Sequence, residues 1–522
     1  MLERATSRWT QIQLNRLSVL LILAACFPFQ MRAADVTRHA MIPKWSRFEA
    51  AFQSQSRGDS PEETSIAAEF VSPSGTTNLV PGFRDGRNIW RIRFQPDQPG
   101  RWEYRTICSN PNNRRLHHQR GQFLCTAIEP GSRFAKHGPV KRVRNQAYFQ
   151  HQDGTPFFWI ADLASNGVRM SSDKDWRYYC EARIRQGFNA VQWRLSAKPD
   201  AQNETPLMNG TPNLRFFQRA DRRIEAMDQA GLLSVIELTD TDHAEGEPTA
   251  LKEITRHAVA RWSANNVAWL LSPNTVDAEK TVRFLNDLSE CFSDSDRFLV
   301  LLAFPERARK INLADFPWID GISTTASSLE NLRALIATNI PVIAATRQLE
   351  NSIVNGVRID DSTIRNEVWP RLLRLRAAGY TYGAAGVRDW DASLENSADL
   401  PLWQKSIFLP GAKQQAFVSH LYAELPYWKL KPLAPASSRS ESTSFNVAAQ
   451  TDDRKLTLIY TPRGPFVEFP LRAFPDLPEL TWFNPRTGQS RSGVAAIGPR
   501  TAKFPTPDSQ DWLLIVRDRK PK

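Results

Sequence analysis

The chain has 522 residues, 41% hydrophobic, 23% charged and 10% aromatic, with a mean hydropathy of −0.44. That excludes a wholly disordered chain, and a single apolar run near the N-terminus excludes a multi-span membrane protein; length alone predicts roughly three to four domains. The net charge of +12 is local, with +3 in residues 1–33 and +8 in residues 101–147, so no basic surface spread over the whole protein is encoded and nucleic acid is not an expected partner.

In chain order, a basic stretch to Arg16 precedes the apolar run Leu17–Phe29, which is short for a bilayer span. Residues 1–33 read as an export signal. Three endings stay open: cleavage near Ala33-Ala34, lipidation of Cys26 within Leu23-Ala24-Ala25-Cys26, or a retained anchor. The expected location is therefore secreted, periplasmic or in the cell envelope, with membrane contact only through the signal or a lipid. Residues 38–130 carry short alternating runs (Phe48–Phe52, Ala67–Val71, Ile89–Phe94, Trp102–Ile107, Gln122–Ala127) punctuated by Pro-Gly and Asp-Gly turns. They predict an immunoglobulin-like β-sandwich. A local disulfide between Cys108 and Cys125 stays open, whereas Cys180 and Cys291 read as buried thiols.

From residue 131 to 435 the pattern changes. Apolar runs begin at Phe157, Ala190, Leu232, Val267, Phe298, Ile322, Pro341 and Tyr380, and amphipathic stretches such as Asp173–Gln186 and Leu214–Ala230 lie between most of them. Eight β runs alternating with helices predict a (β/α)8 TIM barrel, with a doubly wound sheet as the alternative. A Ser-rich stretch, Ser437–Ser444, marks a linker, and residues 436–522 return to short strands and turns, a second β-sandwich. The fold class is thus a TIM barrel flanked by two β-sandwiches.

Chemistry in such a barrel sits at the C-terminal ends of the strands. The candidate carboxylates there are Asp162, Asp240, Asp242 and Glu350. Carboxylates with aromatic faces suit sugars, so Asn166, Trp193, Trp269, Tyr382, Arg388 and Trp390 are candidate saccharide contacts, although core packing competes for both strand tryptophans. Glycoside hydrolysis needs two carboxylates across the bond. No phosphate-cradling Gly-rich loop, Gly-x-Ser-x-Gly elbow or His-Glu-x-x-His pair occurs, so neither metal nor cofactor is expected.

The order of several segments resembles a known family. Gly154-Thr155-Pro156-Phe157-Phe158-Trp159-Ile160-Ala161-Asp162 resembles the first barrel strand of the apiosidase-like glycoside hydrolases, Gly187-Phe188-Asn189-Ala190-Val191-Gln192 the second, and Gly379-Tyr380-Thr381-Tyr382-Gly383-Ala384 the eighth. Gly82-Phe83-Arg84-Asp85-Gly86 and Trp90-Arg91-Ile92-Arg93-Phe94 resemble the sandwich that often precedes such barrels. Asn484-Pro485-Arg486-Thr487-Gly488 and Asp511-Trp512 resemble a C-terminal module named for collagen binding. The resemblance implies hydrolysis of a polysaccharide or oligosaccharide. It also implies a catalytic acid at the end of the fourth strand and another at the end of the seventh. Here Asn274 and Thr346 occupy those positions, and neither can exchange a proton near neutral pH as a carboxyl does. Three readings follow: a hydrolase with relocated acids among Glu350, Asp162, Asp240 and Asp242; an inactive barrel that binds saccharide or serves as a scaffold; or an envelope protein whose basic 101–147 segment contacts an anionic glycan.

Overall fold

A computed structural model describes residues 31–32, 40–54, 64–128, 130–239, 248–273, 275, 277–292, 298–304, 311–326, 338–393, 401–433, 446–470, 478–497 and 501–518. The signal-like residues 1–30, the Ser-rich linker and the positions of Asp240, Asp242 and Asn274 lie outside the described residues.

The N-terminal part is two sheets face to face. One has the strand order Met41–Pro43, Arg120–Thr126, Gly100–Cys108, Ile66–Val71, Thr77–Pro81; the other is Met31–Arg32, Phe48–Gln53, Ile89–Phe94, Phe83–Arg84. Period-two alternation turns Ile66, Ala68 and Phe70 inward, as it does Trp102 and Tyr104, and the core is largely aromatic. Phe70 stacks on Phe94 at 4.2 Å and Phe48 on Phe123 at 4.3 Å. The pairing register excludes the local disulfide. Cys125 faces Gly100, at the far end of the strand from Cys108, and neither cysteine is in a disulfide. Eight residues at about 3.4 Å each separate them by roughly 27 Å, whereas a disulfide needs Cα atoms within about 7 Å.

Eight parallel strands then close into a barrel, which rules out the doubly wound alternative. They are β1 (Trp159–Leu163), β2 (Ala190–Arg194), β3 (Leu233–Thr239), β4 (Val267–Ser272), β5 (Val300–Phe304), β6 (Gly321–Thr324), β7 (Val342–Ala345) and β8 (Gly379–Tyr382), with β8 pairing back to β1. The helices around them include α1 (Asp173–Arg185), α2 (Leu214–Ala230), α3 (Pro248–Trp262), α4 (Ala278–Ser289), α5 (Asp361–Arg374) and α6 (Pro410–Glu424). Their starts are capped by side chains. Ser172 accepts from the Asp175 N–H, Asn213 from the Arg215 N–H, and Asp277 from the Glu279 and Lys280 N–H groups. Gly231, at φ 79°, ends α2 in the left-handed conformation that glycine adopts without cost. Between β5 and β6, where prolines weaken the helical pattern, the described residues hold only a 3-10 turn, Leu313–Asp315.

The barrel interior is filled by Trp159, Ala161, Leu233, Val235, Leu270 and Leu301, and the hairpin strands Val140–Arg142 and Phe149–His151 plug its base with Phe149. A Cβ on Gly321 would stand 2.8 Å from the Phe149 ring, so glycine is required where the plug meets β6.

Both sandwiches dock on the helix layer through buried ions. Glu49 accepts from Arg91 and Arg93 at 2.5 and 2.7 Å. Asp221 of α2 accepts from Arg93 at 2.9 Å, from Arg261 of α3 at 2.8 Å and from the Trp262 indole at 2.6 Å. Asp85 bridges Arg91 and Arg261 at 2.5 and 2.7 Å, and Phe83 lies beneath the Arg93 and Arg261 guanidinium planes. The motif residues Phe83, Asp85, Arg91 and Arg93 thus form the joint to the barrel. At the other end, Asp511 accepts from Arg365 of α5 at 2.9 Å, and Arg486 donates to the Asp511 carbonyl at 2.9 Å. A Cβ on Gly488 would stand 2.6 Å from Phe417 of α6. The C-terminal sheet begins earlier than the linker suggests, because Leu430–Pro432 pairs with Val447–Thr451.

Candidate functional site

Alternation along a barrel strand divides its residues between the interior and the helix layer. Ala190, Leu233 and Val235 face inward, so the same face carries Gln192, Arg194 and Glu237 to the C-terminal mouth. There Arg194 donates to Glu237 Oε1 at 3.0 Å and Gln192 to Oε2 at 3.2 Å. The Arg194 side chain is 36% exposed and Glu237 is 7% exposed, so the arginine reaches into the mouth while the carboxylate lies beneath it. Leu233-x-Val235-x-Glu237 and Ala190-x-Gln192-x-Arg194 carry this geometry in their alternation. Glu237 stands at the end of the third apolar run by sequence position; strand parity is what joins Gln192 and Arg194 to it.

Parity also corrects Asp162. It stands between inward Ala161 and inward Leu163 and therefore faces α1, fully buried. Tyr179 donates to its Oδ2 at 2.5 Å and Arg183 Nε to the same oxygen at 2.6 Å. Arg183 is further held by Gln186 at 2.7 Å and by the Ile407 carbonyl at 2.8 Å. Burial alone would lower the Arg183 guanidinium, but the Asp162 charge overrides it and holds the group above its ordinary value. Asp162 is thus half of a buried ion pair between sheet and helix, and no saccharide at the mouth meets it.

Glu350 is likewise buried, at 2% exposure. It accepts from the Tyr382 hydroxyl and, at 3.0 Å, from the Gly411 N–H in the first turn of α6. Burial pushes the Glu350 carboxyl above its ordinary value, and burial with the Glu350 charge pushes the Tyr382 phenol well up. Gly411 is the residue that admits the carboxylate, since a Cβ there would stand 2.4 Å from Oε2. Glu350 therefore ties the loop after β7 to a helix N-terminus, where the dipole favours an anion.

The strand tryptophans face the helices as well. Trp193 donates to Ser234 at 2.8 Å and packs on Trp262, and Trp269 packs on Phe292 at 5.8 Å. Trp390 is buried in a stack with Trp403 at 4.5 Å. These three are core residues, which corrects the expectation of sugar contact. Asn166 and Arg388 do meet: the Asn166 N–H donates to the Arg388 carbonyl at 3.0 Å, beside the exposed Arg388–Asp389 pair at 2.7 Å. Thr346 is half-buried at the end of β7, and its hydroxyl donates to the Gln348 carbonyl at 2.6 Å. Among the described residues, no group of three His, Cys, Asp or Glu side chains could hold a metal ion, and no helix is long and apolar enough to cross a membrane.

Among solved structures, a putative glycoside hydrolase from Bacteroides vulgatus is similar at 17% identity and a TM-score of 0.69, over 92% of this chain and 100% of that one. A second structure named only as a glycoside hydrolase matches at 16% identity and a TM-score of 0.65, over 76% of this chain and 100% of that one. A glycoside hydrolase family 5 structure from Bacteroides vulgatus matches at 16% and 0.63, over 73% and 94%. At such identities the likeness carries the fold. No curated protein matches the chain. Residues 41–109 match a domain of unknown function (DUF5060), and residues 436–517 match the "Putative collagen-binding domain of a collagenase". Residues 143–429, more than half the chain and the whole of the barrel, match the family described as "Apiosidase-like, catalytic domain". The closed barrel, its flanking sheets and that match agree, and the chain belongs to the apiosidase-like glycoside hydrolase family.

Proposed function

We propose that this is an exported member of the family whose barrel mouth binds a polysaccharide or oligosaccharide without hydrolysing it. The observation that carries the reading is Glu237, with one oxygen engaged by Arg194 and the other by Gln192. A carboxylate so held is engaged by its own neighbours on both oxygens, and glycoside hydrolysis needs a second carboxylate across the bond. The absence of acids from the two positions where the resemblance implies them, Asn274 and Thr346, supports the same reading. So does the Thr346 hydroxyl, which is spent on a backbone carbonyl. Arg194 then offers donors to sugar hydroxyls, and the rim of Asn166 and Arg388 adds polar contacts. The apolar run Leu17–Phe29 behind a basic stretch supports export.

The test is binding measured by titration calorimetry on a panel of plant and microbial oligosaccharides, with Arg194→Ala as the variant. The reading expects at least one ligand, weakened about tenfold or more by the loss of a charge-assisted donor. Equal affinity in the variant for every bound ligand would remove the mouth as the site.

A further inference from the structure

The basic segment 101–147 divides in the structure. Arg101 and Arg105 are paired with Glu103 and Glu69 at 3.0 and 2.8 Å. The cations from Arg133 onward come after the last strand of the N-terminal sandwich. Between these two groups Arg114, Arg115 and Arg120 are exposed, and among the described residues none of the three has a carboxylate partner.

The three sit at one end of a sheet, where the loop 109–119 joins Gly100–Cys108 to Arg120–Thr126. The fold pins this loop. Leu116 is buried, the Thr106 hydroxyl donates to the Leu116 carbonyl at 2.6 Å, and the Gln119 N–H donates to the same hydroxyl at 2.8 Å. The Gln119 side chain donates to the Arg114 carbonyl at 2.6 Å, which ties Arg114 to the strand start at Arg120. Arg105 stands directly opposite Arg120 in the strand register. Like charges so placed destabilise a sheet, and no partner of the Arg120 side chain offsets the cost among the described residues. The cations of residues 101–132 are all arginines, without a lysine. A guanidinium engages an oxyanion through two parallel N–H donors, which an ammonium does not do.

We propose that this arginine cluster is a docking surface for an anionic polysaccharide, separate from the barrel mouth. Carboxylate or sulfate groups meet the unpaired guanidiniums, and the hydroxyls between them donate to Glu69 and Glu103 on the same face. A nucleic-acid duplex fits poorly, because its charge every ~1.7 Å would set phosphates against those two carboxylates. An anionic membrane fits poorly too: the exposed apolar pair on this face, Met41 and Leu124, stands four residues along the strand from Arg120, roughly 14 Å away. The proposal takes its ligand class from the exported, saccharide-binding reading above but not its position.

The test uses the full chain with fluorescently labelled alginate, dextran sulfate and neutral dextran, read by anisotropy at low and high salt. Arg114→Gln with Arg115→Gln and Arg120→Gln removes the cluster. Lys174→Gln with Arg177→Gln and Arg185→Gln removes the same charge from exposed positions of α1. The proposal expects alginate or dextran sulfate to bind and dextran not to, with the tighter of the two telling carboxylate from sulfate. It expects affinity to fall as salt rises, the cluster variant to lose about tenfold or more, and the α1 variant and Arg194→Ala to hold within about twofold. It also expects the cluster variant to melt no lower than wild type, because Arg105 loses a like-charged neighbour. If that variant does melt lower, Arg120→Gln alone decides: about a threefold loss supports the proposal and no loss overturns it. The proposal is overturned by no binding of either anionic glycan, by equal loss in the two triple variants, or by tighter cluster-dependent binding of phosphatidylglycerol vesicles or duplex DNA. Loss in Arg194→Ala with none in the cluster variant overturns it too, while leaving the mouth reading standing.

Discussion

Asp221 holds the joint between the N-terminal sandwich and the barrel, and its replacement by alanine is the sharpest test of how the chain is assembled. Its carboxylate accepts from Arg93 and Arg261, whose side chains are 5% and 1% exposed, and from the Trp262 indole. In Asp221→Ala both guanidiniums stay buried, Glu49 and Asp85 are the carboxylates left beside them among the described residues, and the indole loses its acceptor. Breaking a buried pair by removing one partner costs about 3–5 kcal/mol, most of it the uncompensated charge left behind. A control is Glu69→Gln. Its pair with Arg105 has side chains 32% and 44% exposed, and a surface pair is worth at most about 1 kcal/mol. The assay is urea unfolding followed by tryptophan fluorescence, with limited proteolysis between the sandwich and the barrel as a second readout. Asp221→Ala is expected to lower the midpoint clearly and to speed cleavage near residues 128–140, with Glu69→Gln indistinguishable from wild type. An unfolding free energy for Asp221→Ala within about 0.5 kcal/mol of wild type, with unchanged proteolysis, would refute the claim that this network fixes the joint.

Three further outcomes follow from the same structure. Gly411→Ala places a Cβ 2.4 Å from Glu350 Oε2 and should destabilise the barrel by about 1–3 kcal/mol, read by thermal unfolding, while Glu350→Ala in the same background should recover part of the loss. Burial, with the Arg261 charge, pushes His257 down to about 3, and its unfolded value is 6.5. That stability is present above about pH 6.5 and is lost as the pH falls, because the unfolded chain takes up the proton first. His257→Phe, whose ring fits between Phe83 and Phe217, should flatten the decline between pH 6.5 and 4 relative to wild type, and an identical slope in both proteins would contradict the assignment. Arg486→Ala removes a donor to the Asp511 carbonyl and should loosen the C-terminal sandwich, detected as earlier proteolysis after residue 433.

The barrel was legible in the sequence because its strands are short apolar runs and its helices carry caps. Leu214–Ala230, bracketed by Asn213 and Gly231, has the same bounds in the structure. Two helices escaped, α3 and α6, although Pro410 at the first position of α6 is a recognisable start. The site was less legible, for a physical reason. A strand end is a place in sequence, but which side of the barrel a residue faces depends on a one-residue parity. β1 spans Trp159–Leu163, so Asp162 lies inside the strand and faces α1. The same parity puts Trp193 and Trp269 against helices and brings Glu237 to the mouth. Glu350 follows β7 in the sequence, but nothing in its neighbourhood announces that it is buried or that Gly411, far along the chain, makes room for its carboxylate.

Catalysis is the most direct test of the central claim. The purified full-length protein, shown to bind an oligosaccharide by calorimetry, is incubated with that ligand, with aryl-glycosides and with apiose-containing pectin, and released sugar is followed by chromatography. A barrel that binds without hydrolysing gives no product above the buffer control, and Asn274→Asp with Thr346→Glu is the variant in which activity should emerge. Turnover by the unaltered protein at about 1–10³ per second, normal for an enzyme, would contradict the account.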